Sequence, residues 1–116
     1  MSTVTDNHFE IHFRANFGCG LGIGHLSRCC WIAGALRRYG YNSILWVDNV
    51  TEDLASMFPG SEFRAVYTDG YFIDEKTDAI KFSKLICNYP VKLIFVDDYR
   101  LTEKWEGFFR NKNISV

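Results

Sequence analysis

Glycine occupies every second position from residue 18 to residue 24: Gly18, Gly20, Gly22 and Gly24. The segment before this run, Phe9 to Ala15 (FEIHFRA), alternates apolar and polar side chains, which is the period of a strand. The segment after it carries Leu26, Cys29, Ala33 and Leu36 at helical spacing. It predicts a helix from Gly24 or His25 to Tyr39, closed by Gly40 as a C-terminal cap. A strand, a glycine turn and a helix in this order constrain the chain strongly. The helix must lay its apolar stripe back on the sheet that the strand belongs to.

The same alternation continues. Ser43 to Val47 (SILWV) predicts a second strand, ended by Asp48-Asn49. Thr51 to Phe58 suits a short helix stopped by Pro59-Gly60. Glu62 to Tyr67 predicts a third strand, and Asp74 to Cys87 a helix with Ala79, Phe82 and Ile86 inward. Val91 to Val96 (VKLIFV) is nearly all apolar, the pattern of a strand buried on both faces, and Asp97-Asp98-Tyr99 ends it. Thr102 caps a further helix that carries Trp105, Phe108 and Phe109 on one side. Ile114-Ser115-Val116 opens another strand. The order β-α-β-α-β-α-β-α predicts an α/β fold with a Rossmann-like open parallel sheet and helices on both faces. Residues 1–8 read as a polar leader and residues 9–116 as one domain. A strand only just begun at the end predicts a truncated or split version of a longer protein.

Composition excludes several classes. Apolar residues at 47% and charged residues at 23% match an ordinary globular domain rather than a disordered chain. A formal net charge of −1 argues against a nucleic-acid binder, which would show a basic stripe. No apolar run approaches the roughly 18 residues of a membrane span. The start, Met1 to Asn7, lacks the basic and apolar regions of a signal peptide, so a cytoplasmic setting is expected. Cys19, Cys29, Cys30 and Cys87 form neither a C-x-x-C pair nor a zinc pattern and read as small buried apolar residues.

Ligands of open parallel sheets sit beyond the carboxyl ends of the strands, near the point where strand order reverses. Two segments end strands that belong in the middle of such a sheet: Asn16 to His25, and Asp97-Asp98-Tyr99. They are expected to be neighbours, which makes Asp97, Asp98 and Tyr99 candidate binding residues beside Gly22 and Gly24. Glycines let backbone approach a ligand, and the first amides of a helix favour an anion. His25 is able to exchange a proton near neutral pH, and Arg28 lies one helical turn on, where it complements a phosphate. Each of these residues also has a plain structural reading: a cap, a solvated arginine, an aspartate at a strand end. The dinucleotide pattern G-x-G-x-x-G fails, since its last position falls on Ile23 or on His25, and no Walker Gly-Lys-Ser/Thr exists. Without that fingerprint Asp48 reads as a turn residue rather than a ribose-binding acid.

Taken together, the two motifs resemble the opening of a known family. Phe13-Arg14-Ala15-Asn16, followed by Gly22-Ile23-Gly24-His25-Leu26-Ser27-Arg28-Cys29, is similar to the start of the UDP-sugar hydrolases of pseudaminic acid synthesis. There a strand ending F-R-x-D leads into a loop reading G-x-G-H-x-x-R-C and an Ala/Leu-rich helix. An apolar strand ending D-x-Y follows later, as Val96-Asp97-Asp98-Tyr99 does here, and then a Trp on a helix, as in Leu101 to Arg110. The resemblance runs from Phe9 through essentially the whole chain.

It implies the N-terminal half of a glycosyltransferase-B-type fold, related to the transferase that adds N-acetylglucosamine to lipid-linked muramyl peptide. Two Rossmann-like halves then face each other across a cleft, and the C-terminal half holds most of the nucleotide. The resemblance implies that His25 orients or activates water at the anomeric carbon of a UDP-sugar while UDP leaves. The loop amides and Arg28 would meet the diphosphate, so neither metal nor cofactor is needed, and Tyr99 would line the sugar side. Asn16 stands where the family has Asp, which removes an acid there. The nucleotide-binding half is missing, so a separate C-terminal half is an expected partner, and a non-catalytic binding module is the alternative. A response-regulator-like domain ranks third, because it needs an acidic pair after the first strand, where this chain has Asn16.

Overall fold

The computed structural model describes residues 10–16, 24–112 and 114–116. The elements run β1 (Glu10–Ala15), α1 (Gly24–Arg38), β2 (Asn42–Val47), α2 (Glu52–Met57), β3 (Phe63–Ala65), α3 (Glu75–Ile86), β4 (Val91–Asp97) and α4 (Glu103–Arg110). Every strand pairing is parallel, and the sheet order is β3-β2-β1-β4. The chain therefore has the α/β, Rossmann-like open sheet that its alternation predicts. The polar leader, Phe9 and the glycines at 18, 20 and 22 lie outside the described residues.

Two apolar layers sandwich the sheet. On one face Ile11, Phe13, Ala15, Leu45 and Val47 pack with Leu26, Cys29 and Ala33 of α1 and Leu54 of α2. On the other, Ile44, Trp46 and Ile94 meet Ala79, Phe82 and Ile86 of α3 and Trp105 and Phe109 of α4. Phe82 is the hub of that second layer: its ring centroid lies 5.7 Å from Trp46, 5.6 Å from Trp105 and 5.7 Å from Phe109. Distances of this size are those of favourable edge-to-face and tilted aromatic pairs.

Helix ends follow local chemistry. After α1, Gly40 adopts φ 90°, its N–H bonds to the Arg37 carbonyl, and the Tyr41 N–H returns to Leu36. That is a Schellman end, and it requires the left-handed backbone that glycine tolerates. Asp74 caps α3 by accepting from Thr77 N–H at 2.8 Å, and Thr102 caps α4 by accepting from Lys104 N–H at 3.3 Å. No helix of the described residues is long and apolar enough to cross a membrane.

Two expectations need correction. Val91–Asp97 is not buried on both faces: Phe95 is 38% exposed, and β4 is the last named strand of the sheet. Among the described residues its outer edge meets Ser115, whose N–H bonds to Lys92 O and whose carbonyl accepts from Ile94 N–H. An apolar composition reports what a strand can bury, not which neighbours cover it. The cysteines also divide. Cys29 is buried, and desolvation pushes its thiol up to about 12. Cys87, at the end of α3, is exposed, while Cys19 lies outside the described residues.

Strand β1 is central and covered on both faces, so its polar positions are buried as well. His12 and Arg14 are fully buried. Trp46 Nε1 donates to His12 Nδ1 at 2.9 Å, so the ring proton sits on Nε2 and points to Glu10 Oε1, also at 2.9 Å. A protonated ring would set a second N–H against the Trp46 donor. Burial lowers the His12 pKa below its usual 6.5, opposed by the hydrogen bond and charge of Glu10 and the charge of Glu62, while Tyr89 packs edge-on. The folded state thus binds fewer protons than the unfolded chain. Stability from this group is complete above pH 6.5 and falls as pH drops below it. Urea midpoints measured from pH 7.5 to pH 5 should decline, and His12→Gln should flatten that slope. An unchanged slope in His12→Gln would assign the decline to other groups.

Candidate functional site

The strand order reverses between β1 and β4. From β1 the chain steps to β2 and β3 on one side, then crosses back to place β4 on the other. Helices leaving in opposite directions open a crevice at that point, beyond the carboxyl ends of the strands. Ala15 of β1 pairs in register with Asp97 of β4, so Asn16 and Asp98 emerge side by side at this crevice. The start of α1 lies there too. Arg28, in its second turn, reaches Asp97 with Nε at 3.1 Å from Oδ2 and Nη2 at 3.2 Å from Oδ1. This bidentate pair joins two motifs that are 69 residues apart in sequence.

The site residues expected from the sequence divide as follows. Gly24 and His25 are the first two residues of α1; the His25 side chain, and Gly22 entirely, lie outside the described residues. Arg28 and Asp97 come together and satisfy each other, with Arg28 still 60% exposed along its side chain. Exposed ion pairs of this kind contribute about 0–1 kcal/mol, so the pair fixes geometry more than it stabilises. Tyr99 projects to solvent from the loop after β4. Asp98 turns the other way and is nearly buried.

Asp98 turns into an ionic cluster that sequence reasoning did not anticipate. Arg14 grips Asp78 through both oxygens, Nε to Oδ2 at 3.2 Å and Nη2 to Oδ1 at 2.7 Å, and its Nη2 also reaches Asp48 Oδ1 at 2.8 Å. Asp78 further accepts from Tyr67 Oη at 2.7 Å and Trp105 Nε1 at 2.9 Å. Arg100 closes the outer side. Its guanidinium holds Asp48 at 3.0 and 2.9 Å and Asp98 at 2.9 and 2.6 Å, and stacks 4.0 Å from the Phe72 ring. Three carboxylates thus face two guanidiniums across the ends of β1, β2 and β4 and the first turn of α3.

Protonation follows from this pairing. Burial opposes the charge on Arg14, yet the hydrogen bonds and charges of Asp78 and Asp48 outweigh it and raise the guanidinium pKa. Arg100 is raised in the same way by Asp98 and Asp48 against its own desolvation. Burial opposes the charge on Asp48 too, but its two arginine partners prevail and hold it below the ordinary carboxylate value. The Tyr67 hydroxyl is pushed up by burial and by donating to Asp78. Arg14, Arg100, Asp48 and Tyr67 are each shifted toward their usual ionic form at neutrality. That is the behaviour of a scaffold rather than of an acid or base poised to transfer a proton.

Asp48 occupies the strand end where dinucleotide folds place their ribose acid. Here its oxygens are taken by Arg14 and Arg100, which agrees with the missing glycine fingerprint and closes that subsite. Asp48 is more than a turn residue, since it ties two arginines together. One signal for the cluster was present in the sequence. Asp78 stands one helical turn before Phe82 and two before Ile86, on the apolar stripe of α3, and an inward carboxylate demands a cation. Arg14, on the central strand, is the cation that meets it. Beside the crevice, Ser27, Arg28, Trp31 and Ile32 line a groove of about 460 Å³ along the flank of α1. Among the described residues, no group of three or more His, Cys, Asp or Glu side chains is placed to hold a metal ion. No protein-family model, curated protein or solved structure matches the chain.

Proposed function

We propose that the chain is the N-terminal domain of a nucleotide-sugar hydrolase or glycosyltransferase that acts at the anomeric carbon of a UDP-amino sugar. In this reading the diphosphate rests on the glycine loop and the start of α1, where unpaired amides and the helix dipole favour an anion. His25 orients or activates the attacking water, and Tyr99 lines the sugar side. The observation that supports the reading is the Arg28–Asp97 pair, which ties the second turn of α1 to the end of β4 at the switch point of the sheet. The resemblance of both motifs to the UDP-sugar hydrolases supplies the substrate class. A C-terminal nucleotide-binding half completes the cleft.

A binding module without turnover is the second reading. Two features favour it: Asn16 replaces an acid, and the Arg28 guanidinium is already engaged by Asp97. Titration separates the outcomes. UDP-N-acetylglucosamine at millimolar concentration is expected to shift the backbone amide signals of Gly20 to Arg28. Adding a separately expressed C-terminal half is expected to yield UDP release that His25→Ala abolishes. Absence of any shift refutes both readings, whereas shifts without UDP release leave the binding module.

A further inference from the structure

One polar atom at the crevice has no partner. Asn16 Oδ1 is enclosed, and it finds no hydrogen-bond partner among the described residues. Buried side-chain oxygens are seldom left this way, because the lost hydration is not returned. Its position is informative. Asn16 follows directly on β1, next to the Ala15–Asp97 register pair, at the switch point where open α/β sheets receive their ligands. The neighbouring acidic groups offer it nothing. Asp97 and Asp98 are themselves acceptors, turned to Arg28 and Arg100. Arg14, on the preceding strand residue but one, is consumed by Asp78, Asp48 and two carbonyls. A buried acceptor without a partner among the described residues thus lies at the carboxyl end of β1, where the neighbouring charges are already committed to one another.

We propose that Asn16 is a ligand-binding residue, whose Oδ1 accepts a hydrogen bond from a hydroxyl or amide N–H of the sugar of a nucleotide sugar. The proposal rests on the functional reading above and adds to it the group that recognises the sugar. An amide suits this place better than a carboxylate. It accepts the same hydrogen bond without adding a third negative charge beside Asp97 and Asp98. The Asn at this position is then not only the loss of an acid but a neutral acceptor aimed at an O–H or N–H donor.

The test uses the whole chain and its Asn16→Ala and Asn16→Leu variants, the second preserving shape without polar atoms. Backbone and side-chain amide spectra are followed during titration with UDP-N-acetylglucosamine and, separately, with UDP. The Asn16 side-chain signals are expected to move with UDP-N-acetylglucosamine and not with UDP. Both variants are expected to bind the nucleotide sugar about fivefold to tenfold more weakly, the range of one hydrogen bond. Without ligand, their urea midpoints should be no lower than that of the original chain, since an unpartnered acceptor stabilises nothing. Lower midpoints in both variants would show that Asn16 is paired within the fold and would overturn the proposal. Undiminished binding in both, with Gly20 to Arg28 still responding, overturns the proposal and leaves the functional reading standing. If those amides never respond, the functional reading falls and the proposal falls with it.

Discussion

Replacing Arg14 by methionine is expected to lower folding stability by about 3–5 kcal/mol, the cost of breaking a buried ion pair from one side. The substitution keeps the length and much of the apolar volume of the side chain. It removes the fork that meets Asp78 at 2.7 and 3.2 Å and Asp48 at 2.8 Å. Asp78, fully buried, would retain only the Tyr67 hydroxyl and the Trp105 indole as partners. Two neutral donors do not compensate a buried carboxylate, so the group must either stay charged at high cost or take up a proton. Domains of this size are held by roughly 5–15 kcal/mol, so the variant should unfold at a much lower urea concentration with little change in slope. The double variant Arg14→Met with Asp78→Leu is expected to recover a large part of the loss, because it removes the unpaired charge along with its partner. A single variant within about 1 kcal/mol of the original chain would show that the cluster does not organise the fold.

Phe82→Ala should cost about 3–5 kcal/mol, through lost burial and the cavity left behind. Phe82 is fully buried and packs against three aromatic rings from two other elements, Trp46 of β2 and Trp105 and Phe109 of α4. Collapse around the cavity is limited, because Trp46 and Trp105 are each tethered by an indole hydrogen bond, to His12 and to Asp78. Ile80, two residues earlier on the same helix and 39% exposed, provides the control: Ile80→Ala should cost less than about 1 kcal/mol. Urea unfolding followed by tryptophan fluorescence measures both. Equal losses at the two positions would mean that the layer between α3, α4 and the sheet is not packed as described.

These expectations bear on how much was legible beforehand. Strand and helix order came from local periodicity, which is a property of the chain itself. Leu26, Cys29 and Ala33 did lie inward on α1, and Trp105 and Phe109 inward on α4. Gly40 and Thr102 ended and began their helices as their chemistry demands. That the start of α1 and the end of β4 approach each other was also foreseeable, since topology places the ends of adjacent parallel strands together, and the Arg28–Asp97 pair joins them. Periodicity misled where it treats polar as exposed. His12 and Arg14 occupy the polar positions of an alternating strand, yet both are buried because β1 is covered on both faces. The opposite error fell on β4, whose apolar side chains suggested full burial, while Phe95 remains partly open at the margin of the sheet.

Sequence alone singled out the run of glycines before α1 as the place where a ligand is expected. It determined as well the alternating elements, the apolar stripe of each helix and the helix ends, all of which depend on neighbours a few residues away. Only the tertiary structure decided the partners of the charges. Arg14 meets Asp78 across 64 residues, and Arg100 meets Asp48 across 52. A charge carries no mark of its partner in the chain, because pairing depends on which elements burial brings together.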